Sequence, residues 1–599
     1  MAPTVEQSLQ TAIGLYQSGR LTDAEAACRR ILLQQPDHAV VRNLLWAIMS
    51  ALGRHREALE LVLHAVATEP GNAAYHCDLG VIYRELGRFD EAVASHSRAL
   101  ALSPGSPEIH LKLADALHAS GRLDDATTHL RNAIALRPDY ASAHNNLGNV
   151  LMDQKQWAQA IHSYRCALAI VPDSALSHVN LGRALLKAGR IEDAHAISRR
   201  AVELQPDFAD AHNILGCALS EKELLAEAIA EFRHAIELNR ACADARANLG
   251  TVFVKMHDWE RALDCYRQAI ASRPDFVFAH CNLAIVLLLL GRYEEGWREY
   301  EWRWRFPGFE GVRRNFPAPR WDGSRADGRT ILLHGEQGFG DNIQFARFVP
   351  LVQERTGGAV ILECPHELER LFLYAGGWNA RLVPQEGVRG SVLPHFDCHL
   401  TLLSLPAALR LGEPHHPAIR SAPYLCANPA LREFWRGKIA PSTGLRVGIA
   451  WAGRPSHEQD RLRSIPFAQL TTILRIPGVS FYSLQLTQDS AQSRAMAEAG
   501  VLDLTAHIAD FADTAALMAE LDLIITVDTA AAHLAGAIGR PVWTLLQFVP
   551  DWRWGLERED TPWYPSMKLF RQAKAGEWDP VIRRVAEELS ALQTVAMGN

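Results

Sequence analysis

Two small-residue turns carry the side chains best suited to chemistry. In the first, ILLHGEQGFGDNIQF, an apolar stretch leads through glycines to Asp341 at a predicted helix start. Gly338 and Gly340 would let the backbone approach a sugar or phosphate closely, and a helix N-terminus favours negative charge. The turn is therefore a candidate site for an anionic ligand. The alternative is that Asp341 only caps the helix.

The second turn lies in LDLIITVDTAAAHLAGAIGRPVWTLL. A predicted strand ends at Asp528, and Thr529 begins a helix. The small Ala530 opens access to the first helix amides, whose partial positive charge would offset charge on a departing nucleotide. His533, one turn further on, would add a proton or a hydrogen bond. Taken alone, this histidine would be a buried structural residue, and Asp528 would be a cap for the loop.

A third loop, WAGRPSHEQDRLRSIPFAQL, brings several basic side chains together: Arg454, His457, Arg461 and Arg463. Arginine pairs well with phosphate oxygens, so this loop is a candidate for neutralising a phosphate. We place more weight on Arg463 than on the others. The alternative is an ordinary solvated loop.

The elements that must position these turns begin near Thr330. Short apolar segments that read as strands alternate there with helical segments, which predicts an α/β fold. Two such blocks, residues 328–428 and 443–599, are divided by a polar, proline-containing segment. We expect paired Rossmann-like domains with a cleft between them, because ligands bind where strand carboxyl ends face a crevice.

The two turns resemble glycosyltransferase family 9, the heptosyltransferases. Asp341 matches its Gly-Asp loop, and residues 528–534 match its D-T-[GA]-x-x-H-L signature. The resemblance implies a GT-B enzyme that inverts the anomeric centre, with Asp341 as base for the acceptor hydroxyl and His533 at the same catalytic site. No D-x-D stands in the predicted cleft, so we expect a metal-independent transfer with no cofactor besides the nucleotide-sugar cosubstrate. The expected donor-binding residues are Gly338, Gly340, Arg461, Arg463, Asp528, Thr529 and Ala530.

The N-terminal half repeats with a period of 34 residues. Glycines fall at positions 19, 53, 87 and 121, and the phase resumes at 189 and 291, while alanines and prolines keep the same spacing. Glycine permits a tight turn, alanine lets helices approach, and proline ends a helix. The pattern resembles the tetratricopeptide repeat. It predicts an α superhelix of about nine helix pairs over residues 1–305.

One position in these repeats carries asparagine four times, at Asn146, Asn180, Asn248 and Asn282. An amide both donates and accepts hydrogen bonds, so a row of them can pair with the backbone of an extended peptide. This resembles the asparagine ladder of the O-GlcNAc transferase superhelix, which implies polypeptide binding. The alternative is that the asparagines satisfy neighbouring helix ends.

Between the repeats and the α/β part lies a predicted linker, residues 306–327. The segment before it is rich in aromatic and basic side chains, namely Trp297, Trp302, Arg303 and Trp304. Such a cluster could stack on bases, but packing between domains is the interpretation we favour.

Composition narrows the class of protein. The 599 residues have a formal net charge of -7, so no basic field favours nucleic acid or an anionic membrane. The ten cysteines show no C-x-x-C, the first residues lack an export signal, and the longest apolar run is too short to span a bilayer. We therefore expect a cytoplasmic protein without a membrane span.

Together these features predict a protein O-glycosyltransferase that modifies serine or threonine of a protein held by the repeats. The architecture resembles bacterial flagellin glycosyltransferases that use nonulosonic acid donors, which makes flagellin a candidate acceptor. Two alternatives stay open. One is a heptosyltransferase-like enzyme acting on a glycan or lipid, and the other is a non-catalytic repeat scaffold.

Overall fold

The computed structural model describes residues 4–36, 38–306, 309, 314–326, 328–376, 378–385, 393–413, 416–439, 444–454, 460–486 and 489–598. The chain forms two compact units, residues 1–245 and 246–599. The last two helix pairs of the repeat pattern thus group with the α/β part. Most of the predicted linker 306–327 is described, but residues 307–308, 310–313 and 327 lie outside the described residues.

The first unit is built from antiparallel helix pairs, in which a 13-residue helix is followed by one of 14 residues. The helices are α1 Val5–Gln17, α2 Leu21–Gln34, α3 Ala39–Ala51, α4 His55–Thr68, α5 Ala73–Glu85, α6 Phe89–Leu102, α7 Pro107–Ala119, α8 Leu123–Leu136, α9 Ala141–Asp153, α10 Trp157–Ile170, α11 Ala175–Lys187, α12 Ile191–Leu204, α13 Ala209–Glu221 and α14 Leu225–Leu238. The recurring alanines, such as Ala24, Ala58 and Ala92, are fully buried where paired helices meet. The helical repeat solenoid predicted from the 34-residue period is confirmed.

The turn inside each helix pair needs a left-handed residue. Six of these residues are glycines with φ between 71° and 78°. In the other three pairs Lys155, Glu223 and His257 take the same conformation, with φ near 60°. The turn is therefore kept where the glycine spacing breaks, although a side chain in this conformation costs roughly 1–2 kcal/mol.

A second repeated contact involves histidine. In four repeats an imidazole Nε2 lies 2.8–3.0 Å from a proline carbonyl oxygen six residues earlier, in the pairs His76–Pro70, His144–Pro138, His212–Pro206 and His280–Pro274. Since a carbonyl only accepts, Nε2 is the protonated nitrogen. The contact ties each first helix to the loop before it.

The second unit begins within the eighth repeat and continues into the α/β part. Its helices are α15 Ala243–Lys255, α16 Trp259–Ser272, α17 Val277–Leu289, α18 Tyr293–Tyr300, α19 Phe339–Phe345, α20 Val349–Thr356, α21 His366–Phe372, α22 Leu405–Ala408, α23 Pro429–Lys438, α24 Asp460–Arg463, α25 Thr471–Leu474, α26 Ser490–Glu498, α27 Phe511–Ala519, α28 Ala530–Ala537 and α29 Asp579–Gly598. Its strands are β1 Ile331–His334, β2 Val360–Cys364, β3 Ala380–Pro384, β4 Cys398–Thr401, β5 Leu445–Ala450, β6 Val479–Ser483, β7 Leu523–Val527, β8 Val542–Leu546 and β9 Met567–Arg571.

The strands form two parallel sheets, with strand orders β3-β2-β1-β4 and β6-β5-β7-β8-β9. Both β1 and β7 lie inside their sheets and are buried at every residue, as expected for strands covered by helices on both faces. In the first sheet Ile331 pairs with Val360 and Cys398. This architecture confirms the predicted α/β fold with two Rossmann-like domains.

Candidate active site

The two small-residue turns meet. One follows β1 and leads into α19, the other follows β7 and leads into α28, and the two helices pack against each other. Contact is closest at Gly340, where an added Cβ would lie 2.8 Å from His533 Cδ2 and 3.6 Å from Ala530 Cα. The carboxyl ends of β1 and β7, the central strands of the two sheets, therefore contribute to a single site.

Asp341 lies in the first turn of α19. Its Oδ2 accepts a hydrogen bond of 3.0 Å from the Gly338 amide, and its Oδ1 accepts one from Arg553 Nη2. The side chain is 18% exposed. Burial raises the pKa of the Asp341 carboxyl above its ordinary value, and the charge of Arg553 opposes this rise. The carboxylate thus both closes the helix start and faces a cation from the second sheet's domain.

Sequence reasoning missed Arg553, which follows β8 in the segment DWRW. Its guanidinium donates to Gln344 Oε1 at 2.6 Å, to Asp551 Oδ1 at 2.8 Å and to Asp341. It also lies over the Trp552 ring, 4.3 Å from the centroid. Burial would lower the pKa of Arg553, but the charges of Asp551 and Asp341 raise it. The signal that the sequence offers for this residue is an arginine between two tryptophans.

His533 is buried, with 5% exposed. Its Nδ1 lies 2.9 Å from the Tyr564 hydroxyl, and its ring stacks on Trp554 at a centroid distance of 5.3 Å. Burial, followed by the charges of Arg553 and Arg347, holds the pKa of His533 well below its ordinary value. The imidazole is therefore neutral near pH 7. It can form a hydrogen bond to a ligand but does not offer it a positive charge.

The start of α28 presents backbone amides. Thr529 is its N-cap residue with extended backbone, but its hydroxyl lies 3.3 Å from Thr526 Oγ1 and does not cap the helix. Asp528 precedes it, and burial followed by the charge of Asp551 raises the pKa of its carboxyl to about 6. The Asp528 carbonyl oxygen accepts a hydrogen bond of 3.1 Å from Arg463 Nη1. A guanidinium therefore lies beside the helix N-terminus.

The basic loop contributes unequally. The Arg463 side chain is 18% exposed, and its Nε lies 3.3 Å from Asp460 Oδ1. Arg461 is exposed on α24, and the Arg454 guanidinium lies 5.7 Å from the centroid of the Phe339 ring. The structure therefore brings Arg463 to α28, whereas Arg461 faces solvent. The fourth basic residue of this loop, at position 457, lies outside the described residues.

The end of the last repeat holds the glycine loop. Arg303 is 4% exposed and donates to Glu336 Oε1, to Ser404 Oγ and to Glu301 Oε1, each at 2.8 Å. Burial raises the pKa of Glu336, and the charge of Arg303 opposes it. Because Glu336 belongs to the turn that leads to the catalytic aspartate candidate, a repeat residue fixes the position of that turn.

The aromatic residues near this junction pack together, as the sequence predicted. Trp297 is 2% exposed and meets Trp552 edge to face at 5.1 Å. Trp302 stacks on His280 at 3.7 Å. The first contact joins α18 to the domain of the second sheet, and the second joins α17 to the segment that follows α18.

Two of the asparagines lie in the first unit, where their amides are engaged. Asn146 Nδ2 donates to Asp115 Oδ1 at 2.7 Å. Asn180 is buried, and its Nδ2 donates to Asn145 Oδ1 at 3.1 Å. Part of their hydrogen-bonding capacity is thus used by side chains of the preceding repeat.

The other two asparagines belong to the second unit. Asn282 Nδ2 donates to the Phe278 carbonyl oxygen of its own helix at 2.9 Å. Asn248 is partly buried and also takes part in an interaction with its surroundings. Peptide binding by this series stays a prediction.

Three further features bear on the chemistry. The ten cysteines are free thiols. Within the described part of the chain, no group of three histidine, cysteine, aspartate or glutamate side chains is placed to hold a metal ion. Nor does any helix among those residues combine the length and apolar character needed to cross a membrane.

Family models match both halves of the chain. Models described as TPR repeat or tetratricopeptide repeat match residues 15–77, 80–121, 114–155, 139–207, 179–245 and 247–300. The model described as glycosyltransferase family 9 (heptosyltransferase) matches residues 486–577, which include β7 and α28.

Among curated proteins, the chain is similar to Protein FlbA of Caulobacter vibrioides, with 32% identity over 328 residues. The match covers 51% of this chain and 54% of that protein, so the chain spans about half the length of the relative it matches. Among solved structures it is similar to the APC/C hetero-tetramer Cut9-Hcn1, at 19% identity and a TM-score of 0.36, over 47% of this chain and 55% of that one. YrrB, a TPR protein, matches at 24% identity and a TM-score of 0.26, over 31% of this chain and 96% of its own.

Proposed function

We propose that this enzyme transfers a sugar from a nucleotide donor to serine or threonine of a protein in the cytoplasm. In its chain, tetratricopeptide repeats are fused to a glycosyltransferase family 9 domain. The repeats hold the protein acceptor. Residues 328–428 form the acceptor side and residues 443–599 the donor side. The transfer needs no metal ion and inverts the anomeric centre.

The observation that carries this proposal is the meeting of the two turns. Gly340 packs on Ala530 and His533, and Asp341 bonds to Arg553. The proposed base and the proposed anion-binding helix start thereby lie close together, which supports the proposal. This is the arrangement that a displacement on a nucleotide sugar requires.

Each group has a defined part in the proposed reaction. The acceptor oxygen forms a bond to the anomeric carbon while its proton passes to Asp341. The bond from that carbon to the phosphate oxygen breaks, and its electron pair stays on the phosphate. The amides at the start of α28 and the Arg463 guanidinium stabilise the new charge. Neutral His533 supplies a hydrogen bond from its ring.

Two observations support a protein acceptor. The buried Arg303 links the last repeat directly to the glycine loop through Glu336, and the last two helix pairs belong to the same compact unit as the proposed base. The asparagine series supplies amide groups suited to backbone recognition. Flagellin is the first acceptor to test, because the architecture resembles flagellin glycosyltransferases.

The test is transfer measured by intact mass. The full chain is incubated with flagellin and a panel of nucleotide sugars that includes a CMP-linked nonulosonic acid, and separately with a glycan acceptor. We expect flagellin to gain one or more sugar masses, and Asp341→Ala to abolish the gain. Asp560→Asn, which changes an exposed aspartate paired with Arg558, is the matched control and should transfer normally. Sugar gain by the glycan alone would refute the protein acceptor.

The peptide-holding role has its own test. Alanine replaces the four asparagines together, at Asn146, Asn180, Asn248 and Asn282. We expect a higher KM for the protein acceptor and unchanged hydrolysis of the donor by water. Asn132→Ala, an exposed asparagine on the second helix of its pair, is the control. An unchanged KM in the fourfold variant would assign the asparagines to repeat packing.

A further inference from the structure

We propose that Arg553 is a donor-binding residue that Asp341 holds in the free enzyme. The donor phosphate and the Asp341 carboxylate then compete for one guanidinium. Donor binding then releases the base. This inference rests on the proposed function, and it assigns a role to a residue outside both family-like turns.

The first argument is the geometry of the guanidinium. Gln344 and Asp551 hold Nε and Nη1 at 2.6 and 2.8 Å, while Nη2 bonds to Asp341. Two partners therefore fix the plane of the group. Asp551 belongs to the arginine's own domain, whereas Gln344 and Asp341 both lie on α19 of the facing domain. Both side chains keep an edge toward solvent, 8% for Arg553 and 18% for Asp341. A phosphate oxygen can replace the Asp341 carboxylate without moving the other two partners.

The second argument is the place of this ion pair. Trp554, the residue after the arginine, stacks on His533 in α28. Gly340, the residue before Asp341, packs on Ala530, the first residue of α28. The Asp341–Arg553 contact is thus flanked on both sides by residues that touch the helix whose N-terminus faces the donor.

The third argument is charge. Three carboxylates, those of Asp341, Asp528 and Asp551, surround this site, against the two guanidiniums of Arg553 and Arg463. A phosphate entering such a site is repelled unless a cation turns toward it. Arginine is the side chain best matched to phosphate oxygens, and Nη2 is the edge of Arg553 that points into the site.

The exchange has a chemical consequence. In the free enzyme, the nearby cation makes Asp341 a weaker base. When the phosphate takes Arg553, the carboxylate loses this partner and accepts a proton more readily. The acceptor hydroxyl gives its proton to Asp341 as its oxygen bonds to the anomeric carbon, and the electron pair of the broken bond stays on the phosphate. The base is therefore strongest when the donor is present.

The test is nucleotide binding by isothermal titration calorimetry to the full chain without acceptor. The probes are CMP, CDP, UDP, GDP and ADP, and comparison of CMP with CDP shows whether one or two phosphates are bound. In Asp341→Asn the competitor loses its charge, so we expect affinity to rise about fivefold or more. In Arg553→Gln we expect affinity to fall about tenfold or more, as when a charge-assisted hydrogen bond is lost. Asp560→Asn is the control and should bind as the parent does.

Other outcomes decide against the inference. Unchanged affinity in Asp341→Asn would show that Asp341 does not compete for Arg553, and unchanged affinity in Arg553→Gln would show that the arginine does not meet the phosphate. If Arg553→Gln does not fold, Arg553→Lys is the second variant. It keeps the positive charge without the planar guanidinium, and the affinity of this variant for the nucleotides should still fall. Binding of no probe by the parent chain would refute the proposed donor site itself, which separates the failure of the function from the failure of this inference.

Discussion

Gly340→Ala tests the close approach on which the site depends. The added Cβ would lie 2.8 Å from His533 Cδ2 and 3.4 Å from Nε2. The ring cannot turn away cheaply, because Tyr564 bonds to Nδ1 at 2.9 Å and Trp554 stacks on its face. Overpacking of this kind costs about 1–3 kcal/mol of stability.

The expected loss of activity is larger than the loss of stability. To relieve the overlap, α19 must move away from α28 by several tenths of an ångström, which separates Asp341 from the donor side. A displacement approaching 1 Å in an active site can lower the rate by about 100-fold. We therefore expect Gly340→Ala to fold and to transfer sugar roughly 10- to 100-fold more slowly.

Two assays check this prediction. Urea unfolding followed by tryptophan fluorescence measures stability, and intact mass against time measures transfer. Gly338→Ala is the local stability control, because its Cβ would meet only Asp341 Oδ2, at an ordinary 3.5 Å. Gly437→Ala on α23, where nothing lies within 4 Å, is the activity control. Parental stability together with parental transfer in Gly340→Ala would refute the argument from close packing.

Three further predictions follow from the same region. Arg303→Ala leaves the buried Glu336 without its cation and should lower the free energy of unfolding by about 3–5 kcal/mol. The double variant Arg303→Met with Glu336→Gln should recover part of this loss. Urea unfolding measures both. Burial and Asp551 raise the pKa of Asp528 to about 6, so its contribution to stability is complete below its ordinary pKa near 4 and is lost as the pH rises through 6. Asp528→Asn should therefore reduce the difference in unfolding free energy between pH 4.5 and pH 7. Dialysis against EDTA should leave the transfer rate unchanged, and loss of transfer that Mg²⁺ restores would refute metal independence.

The sequence predicted the fold well because its signals are local and repeated. A 34-residue period specifies the helix pairs, and apolar strands that alternate with helices specify the sheets. The left-handed backbone at Lys155, Glu223 and His257 could not be predicted in this way. There the neighbouring helix pairs, and not the residue type, impose the turn.

The site was predictable where residues adjacent in sequence form a turn and unpredictable where they come together from distant segments. Asp341 and His533 are candidates from the sequence because each belongs to a recognisable turn. Their contact through Gly340, and the partnership of Asp341 with Arg553, join residues about 200 positions apart. The spacing of residues in one sequence does not reveal such a pair. An arginine between two tryptophans is equally consistent with a packing role.

The buried Arg303 also has an evolutionary consequence. Glu336 depends on a cation from the last repeat, and Trp297 fills space beside Trp552. Recombination that joined a foreign repeat array at residue 306 would remove Arg303 and Trp297 and leave the Glu336 carboxylate buried without its cation. Exchange of repeats before residue 246 would keep these residues together. Under the proposed function, gain and loss of N-terminal repeats would change the acceptor range, while the final two pairs would stay with the glycosyltransferase domain.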